Sequence, residues 1–184
     1  MAPPDPAPTP RSPRSPRPVR DPIREAHRQW VAHGWSDAAD AMALVTSVTR
    51  AQQLLAERVE RALRPHGLTF ARFEVLRLLS FTRDRALPMT RLGSLLQVHP
   101  ASVTSAVDRL EAQGFVRRER RSEDRRVVHA ELTDAGTTTV EQATADLNTV
   151  FTDLAADLGP TTVTELTRLL GALRTGAGDE VDGS

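Results

Sequence analysis

Residues 88–132, which read PMTRLGSLLQVHPASVTSAVDRLEAQGFVRRERRSEDRRVVHAEL, constrain the fold of this chain more than any other stretch. Thr90 is a favourable N-cap for a first short helix. The apolar residues of that helix are expected on its buried face: Leu92, Leu95 and Leu96. Pro100 suits the first position of a second helix, because its φ is fixed and it has no N–H to leave unpaired. Two helices joined by so short a turn predict a helix-turn-helix.

The second helix has two distinct faces. Its apolar residues recur at the spacing of one helical stripe: Val103, Ala106, Val107 and Leu110. Its other face carries short or hydrogen-bonding side chains: Ser102, Thr104, Ser105, Asp108 and Arg109. Gly114 is expected to end the helix as its C-cap.

Two short strands are predicted after this helix. Val116–Arg121 and Val127–Leu132 alternate apolar with polar residues, as strands with one buried face do. The connecting residues 122–126 are too highly charged to be buried. A helix-turn-helix followed by a β-hairpin is a winged helix, in which one helix enters the major groove of DNA and the loop reaches a minor groove. The simpler alternative is a small helical pair with a solvated hairpin.

Two sequence motifs carry a resemblance to a known family. The run DRRVVHAELTDAG at Asp124–Gly136 resembles the wing signature of the MarR family of bacterial transcription regulators. The run HPASVTSAVDRLEAQGFVRR at His99–Arg118 is similar to the recognition helix and following strand of that family. The resemblance covers about residues 21–175. It implies a mainly α fold with a small β-hairpin wing, namely a winged helix-turn-helix plus N- and C-terminal dimerisation helices.

The DNA-binding residues follow from this interpretation. On the recognition helix and the wing we expect contacts from His99, Ala101, Ser102, Thr104, Ser105, Arg109, Arg121, Arg125 and Arg126. Asp124 is expected to hold the hairpin rigid by accepting hydrogen bonds.

The distribution of charge agrees with a DNA-binding lobe, although the net charge is zero. Residues 61–129 carry 14 Arg against 7 acidic residues, and residues 130–184 carry 2 against 10. Residues 1–60 are nearly balanced, with 8 Arg and 7 acidic residues. The positive charge is therefore concentrated where the winged helix is predicted.

The chain is predicted to form one domain, residues 21–175, between a disordered Pro- and Arg-rich arm (1–20) and a frayed tail (176–184). Within it, residues 67–132 form the DNA-binding lobe, and residues 21–66 with 133–175 form a helical dimerisation region.

The helices outside the lobe carry more apolar residues than a small winged helix can cover. A helix over residues 36–64 has the apolar stripe Met42, Val45, Val48, Leu55, Val59 and Leu63. A helix over residues 133–158 has the stripe Val140, Ala143, Leu147, Val150 or Phe151, Leu154 and Leu158, and a last helix has Val163, Leu166, Leu169, Leu170 and Leu173. We therefore expect a homodimer. In a monomer the same helices would form a bundle.

The resemblance also implies an effector site between the dimerisation helices and the winged helix. Its candidate residues are Trp30, His33, Trp35, His66, Arg72 and Glu74. Trp30 matches a Trp on the additional N-terminal helix of the urate-responsive subfamily. That subfamily has an Asp at the position of Glu74 and an Arg seven positions later, where this chain has Phe81. This difference from the subfamily argues against urate as the ligand. Alternatively, Trp30 and Trp35 belong to a dimer core and Glu74 pairs with an Arg.

Other classes of protein find little support in the sequence. There is no Cys, no apolar run near the roughly 20 residues of a membrane span, and no catalytic or nucleotide-binding motif. We expect a cytoplasmic protein that is not an enzyme and has no cofactor or metal site. Its predicted function is that of a homodimeric repressor released from a palindromic operator in double-stranded DNA by a small organic ligand of anionic or aromatic character. The alternative is a winged-helix protein-interaction module without specific DNA binding.

Overall fold

The structure, a computed structural model, describes residues 21–96, 100–120 and 127–179. It is mainly α-helical with a small antiparallel sheet, which confirms the predicted fold class. The chain divides into two compact units, Met1–Gln53 and Leu54–Ser184. The helices are α1 (Pro22–Ala32), α2 (Ser36–Leu63), a 3-10 turn (Arg64–His66), α3 (Phe70–Ser80), α4 (Met89–Leu96), α5 (Pro100–Ala112), α6 (Asp134–Leu158) and α7 (Pro160–Gly176). The strands are β1 (Ala86–Pro88), β2 (Val116–Arg120) and β3 (Val128–Leu132).

Three helices begin at a residue whose side chain caps the helix. The Asp21 carboxylate accepts a hydrogen bond from the backbone N–H of Ile23 at 3.0 Å. Thr69 caps α3 in the same way. The Thr133 hydroxyl accepts from the N–H of Gly136 at 3.0 Å at the start of α6. Each cap satisfies a backbone donor that has no partner inside its helix.

The hydrophobic core lies in the second unit, where α3, α5 and α6 meet the sheet. Phe73, Val75, Leu76 and Leu79 of α3 are buried there. The stripe predicted on α5 is confirmed, since Val103, Val107 and Leu110 are buried and Ala106 packs against them. The other core residues are Leu63, Leu68, Leu87, Leu92, Val116, Ala130, Leu132, Val140, Ala143 and Leu147.

The sheet has one strand more than the sequence predicts. Its order is β1-β3-β2, so β3 lies between the two other strands. The predicted hairpin pairs Val116 with Leu132, and the additional strand pairs Leu87 with Ala130. The three extended residues of β1 lie between the charged residues 83–85 and the start of α4. Because β1 directly precedes α4 and pairs with β3, it connects the start of the helix-turn-helix to the β-hairpin.

Two details predicted for α4 are wrong. The helix begins at Met89, directly after β1, so Thr90 lies inside its first turn and is not the N-cap. Leu95 was expected to be buried but is 49% exposed. The buried face of the helix is set by Leu92, with Met89 and Leu96 beside it, and Leu95 projects away from that face.

Along the long helices, some residues of each apolar stripe are exposed in the single chain. Val45 and Leu55 of α2 are exposed, at 65% and 43%. The apolar stripe of α6 is buried in its first part and exposed near its end: Leu147 belongs to the core, whereas Leu158 is 40% exposed. Helix α7 has no buried residue. The amphipathic patterns correctly predict helices, but only part of each stripe is covered within one chain.

Candidate nucleic-acid interface

Helix α5 presents its polar face to solvent. Val103, Val107 and Leu110 hold the opposite face in the core, so Ser102, Ser105 and Arg109 are turned outward and exposed. Ala101 and Thr104 are exposed on the same helix. The residues expected to contact DNA on the described part of α5 therefore share one accessible surface.

Three of these side chains have unused hydrogen-bonding capacity. Among the described residues, Ser102, Ser105 and Arg109 form no side-chain hydrogen bond or ion pair. A serine hydroxyl can donate to or accept from a base edge, and a guanidinium can form two parallel hydrogen bonds with guanine. This surface has the chemistry needed to bind base edges or phosphates.

Arg118 of β2 holds the C-terminal half of α5. Its guanidinium lies 2.6 Å from the Asp108 carboxylate and 2.7 Å from that of Glu111. Its backbone N–H also donates to Glu111 at 3.1 Å. Burial of the guanidinium lowers the pKa of Arg118. The hydrogen bonds to Asp108 and Glu111 and the negative charges of these two residues together outweigh burial, so the pKa of Arg118 is raised above its ordinary value. Both acidic groups are thereby neutralised beside Arg109.

Sequence reasoning missed this role of Arg118 and placed Asp108 simply on the polar face of α5. The available signal was the spacing of Asp108 and Glu111, which puts two carboxylates on one side of a helix. Such a pair favours a nearby cation, and β2 begins only a few residues later.

The C-terminal end of α5 is joined to the start of α6. Gly114 has φ 76°, a left-handed conformation that glycine adopts without steric cost. The Thr133 hydroxyl donates to the carbonyl oxygens of Gly114 at 2.8 Å and Phe115 at 3.1 Å. The same threonine that caps α6 therefore binds the end of the recognition helix.

A groove of about 480 Å³ runs between α5 and the first turn of α3. We call it the Arg72 groove; its polar lining consists of Thr69, Arg72, Ser102, Ser105 and Arg109. Arg72 donates from Nε to the Thr69 hydroxyl at 3.2 Å and from NH1 to the Gln113 side-chain oxygen at 3.1 Å. Gln113 in turn donates to the carbonyl oxygen of Gly67 at 3.0 Å. Arg72, predicted as an effector-site residue, thus lies beside the recognition helix.

Three other candidate effector residues cluster in the first unit. The rings of Trp30 and Trp35 meet edge to face, with centroids 5.4 Å apart. The His33 ring stacks on Trp35 at 5.7 Å, and its Nδ1 lies 2.7 Å from the carbonyl oxygen of Gln29. Trp35 is 56% exposed. This aromatic cluster occupies the turn between α1 and α2.

The remaining two candidates lie in the second unit. His66 Nε2 lies 2.7 Å from the Asp146 carboxylate, which joins the 3-10 turn to α6. Glu74 is half-buried on α3 and has no hydrogen-bond or ion-pair partner among the described residues. Burial raises the pKa of its carboxyl above the ordinary value of 4.5. The alternative in which Glu74 pairs with an Arg finds no support in this part of the chain.

Several predicted DNA-binding residues lie outside the described residues: His99, Arg121, Arg125 and Arg126, together with Asp124 of the wing. Their roles stay predictions. In the described ranges, no helix combines the length and apolar character needed to cross a membrane. The same ranges contain no group of three or more His, Cys, Asp or Glu side chains that could hold a metal ion.

Comparisons with known proteins agree with this geometry. The sequence profile of the MarR family matches residues 68–128. The MarR family transcriptional regulator Sco5413 of Streptomyces coelicolor is 41% identical, with 77% of this chain and 99% of that one covered and a TM-score of 0.67. Sco3205, a MarR family regulator of the same organism solved in complex with DNA, is 27% identical, with 75% and 88% covered and a TM-score of 0.68.

Similarity extends to a regulator of Bacillus subtilis (strain 168). YkoM, an uncharacterized HTH-type transcriptional regulator, is 38% identical over 96 residues, which are 52% of this chain and 61% of YkoM. The chain therefore spans less than two thirds of YkoM, but nearly the whole of Sco5413. The chain belongs to the MarR family of transcription regulators.

Proposed function

We propose that this regulator is a homodimeric, cytoplasmic repressor that binds a pseudo-palindromic DNA operator and is released from it by a small organic ligand. Each subunit inserts α5 into the major groove of one half-site. A two-fold dimer then reads an inverted repeat whose half-site centres are about 10 bp apart. The activity is binding, and no catalytic role is assigned to any residue.

The exposed polar face of α5 is the observation that carries this proposal. A recognition helix needs one face anchored in the core and another free to meet base edges. Val103 and Val107 anchor the helix, and Arg109 is exposed with no partner among the described residues. Sco3205, which shares the fold, was solved with DNA bound. Its similarity supports the same use of the corresponding lobe here.

The dimer is supported by apolar surface that a single chain leaves uncovered. On α7, Leu166, Leu169, Leu170 and Leu173 are each 44–48% exposed. Phe151 of α6 is 46% exposed. Leucines exposed at this spacing on one face of α7 are typical of an interaction site. A second copy is the proposed partner because a two-fold dimer also accounts for reading an inverted repeat.

Release by a ligand is supported by two separate features of the chain. The first is Glu74, a half-buried carboxyl group on α3 with no hydrogen-bond or ion-pair partner among the described residues, where a ligand could supply one. The second is the exposed aromatic cluster at Trp30, His33 and Trp35, a surface suited to a planar organic molecule. The two features belong to different units and support ligand binding independently.

The experiment compares wild-type protein with Arg109→Ala on two duplexes. One contains the operator selected by the wild-type protein, and the other is the same duplex with its sequence scrambled. If Arg109 contacts a base, the variant should lose about 1–3 kcal/mol on the operator and almost nothing on the scrambled duplex. Arg64→Ala, an exposed change outside α5, is the matched control. Wild-type protein that binds both duplexes equally would contradict sequence-specific binding.

A further inference from the structure

We propose that the Arg72 groove binds a phosphate group of the DNA backbone, which makes Arg72 a DNA contact outside the helix-turn-helix. This inference rests on the proposed DNA-binding function and adds a contact to it. It also gives Arg72 a role different from the effector binding that the sequence predicts.

The groove lies at the edge of the proposed DNA-binding face. One wall is formed by Ser102, Ser105 and Arg109, which are the residues of α5 turned toward the proposed major groove. The other wall is the first turn of α3, with Thr69 and Arg72. A duplex that meets the α5 side chains must bring a sugar-phosphate strand past this edge, because backbone strands border the major groove on both sides. The Arg72 groove therefore lies where a phosphate would pass.

The groove carries positive charge that is not cancelled nearby. Among its lining residues there is no carboxylate, and neither Arg72 nor Arg109 has an ion-pair partner among the described residues. Other arginines of the second unit behave differently. Arg118 binds Asp108 and Glu111, Arg117 binds Glu131, and Arg85 binds Asp134. The positive charge beside α5 is thus left available for an anion.

Arg72 is held in a fixed position by neutral groups. Its Nε and NH1 atoms are bound by Thr69 and Gln113, and Gln113 is bound by the carbonyl oxygen of Gly67. Both acceptors are uncharged, so they orient the guanidinium without cancelling its charge. The remaining N–H groups have no partner among the described residues. A guanidinium ordered in advance loses little conformational freedom on binding, and its planar donors match phosphate oxygens.

The rest of the lining suits a phosphodiester. The hydroxyls of Ser102 and Ser105 can donate to phosphate oxygens, and the other lining residues are the alanines Ala71, Ala101 and Ala106. Small side chains leave room for the sugar-phosphate chain. A contact of this kind carries no information about base sequence, so it should contribute equally on every duplex.

The test measures binding of full-length Arg72→Gln by fluorescence anisotropy at several salt concentrations. The probes are the selected operator and a random-sequence duplex of equal length. Affinity should fall about tenfold on both duplexes, which corresponds to the removal of one charge-assisted hydrogen bond. The slope of log K against log salt should also become shallower by about 0.9 for each phosphate that the variant no longer neutralises.

Two further variants separate a phosphate contact from a structural effect. Arg72→Lys keeps the charge and should restore the salt slope, although it cannot reproduce both hydrogen bonds. Arg77→Gln removes the same charge from the same helix, but Arg77 lies over the Phe81 ring and not in the groove. This control should bind DNA like the wild type. Equal thermal midpoints of the Arg72 variants and the wild type exclude a folding defect as the cause.

The outcomes are distinct. Arg72→Gln that binds both duplexes like the wild type would overturn the phosphate contact while leaving the proposed function intact. A drop in affinity on the operator alone would also overturn it, because that result indicates a base contact. Wild-type protein that binds neither duplex would contradict the proposed function itself, and the inference with it.

Discussion

Gly136 lies directly against the backbone of Phe115. A Cβ atom at Gly136 would stand 2.1 Å from the Phe115 carbonyl oxygen, far inside contact distance. Phe115 follows the C-cap of α5, and Gly136 lies in the first turn of α6. Together with the bond from Thr133 to the same carbonyl, this contact fixes the start of α6 to the end of the recognition helix. The end of α5 and the start of α6 are therefore held close together.

Gly136→Ala should destabilise the protein by about 1–3 kcal/mol, the usual cost of overpacking. The clash is with backbone atoms, which cannot rotate away as a side chain can. In an open helical position the same change would stabilise by roughly 0.5–1 kcal/mol. Gly176→Ala is the matched control, since a Cβ there meets nothing within 4 Å. Urea unfolding measures the free energy of unfolding of both variants. Equal stability of the Gly136 variant and the wild type would show that the backbone around Phe115 shifts at little cost to make room for the Cβ atom.

The dimer prediction concerns α7. Replacing Leu169 and Leu173 with Glu should convert the dimer to a monomer, because both side chains are exposed in the single chain and carry the proposed interface. Thr164→Glu with Thr175→Glu adds the same charge on the other side of α7 and should leave the dimer intact. Light scattering coupled to gel filtration gives the mass, and circular dichroism checks the helix content. An unchanged dimer mass for the leucine variant would place the interface elsewhere.

Glu74 should make stability depend on pH. Burial raises the folded-state pKa of this carboxyl above its ordinary 4.5, so the folded state retains the proton to higher pH than the unfolded state. Stability therefore falls as the pH rises from 4.5 through the folded-state pKa. Glu74→Gln should be more stable than the wild type at pH 7, and the difference should vanish below 4.5.

Denaturant unfolding across this pH range tests the Glu74 prediction, with exposed Glu141→Gln as the control. A Glu74→Gln protein that is less stable than the wild type at pH 7 would contradict it. That result would indicate a favourable partner for the carboxylate, such as the Arg of the alternative interpretation.

The wing prediction rests on sequence alone, since residues 121–126 lie outside the described part of the chain. Arg125→Ala should weaken DNA binding at unchanged stability and lower the salt slope by about one ion. Asp124→Ala should also weaken binding. A loop that is no longer held rigid must become ordered on DNA, and the loss of conformational entropy reduces the binding free energy by about 1–2 kcal/mol per residue. Titrations of one operator at two salt concentrations measure both effects. Tighter binding by the Asp124 variant at both concentrations would rule out its structural role.

Local sequence signals predict the elements of this fold well. Asp21, Thr69 and Thr133 have side chains that favour the N-cap position, and each begins its helix with a hydrogen bond to a nearby backbone N–H. The apolar stripe of α5 is equally readable, because a single periodic pattern sets its buried face. These signals are contained within one turn or one helix, so they depend little on residues that are distant in the chain.

The features that sequence could not predict depend on residues distant in the chain. The strand β1 is three residues long and exists only because β3 lies beside it. Leu95 has the right periodicity for burial, but the neighbours of α4 cover a different sector of that helix. The family resemblance assigns Arg72 to an effector site, whereas Gln113, 41 residues away, orients it beside α5. Such contacts become visible only in the folded chain.

Selection of DNA from a random pool by the purified full-length protein, followed by sequencing, is the decisive test of sequence-specific binding by this regulator. We predict an enriched inverted repeat with half-site centres about 10 bp apart, bound by one dimer. The Arg109→Ala protein should enrich a repeat that is degenerate at one position in each half-site. Enrichment of no motif, or of a single half-site without its inverted copy, would contradict sequence-specific binding by a two-fold dimer.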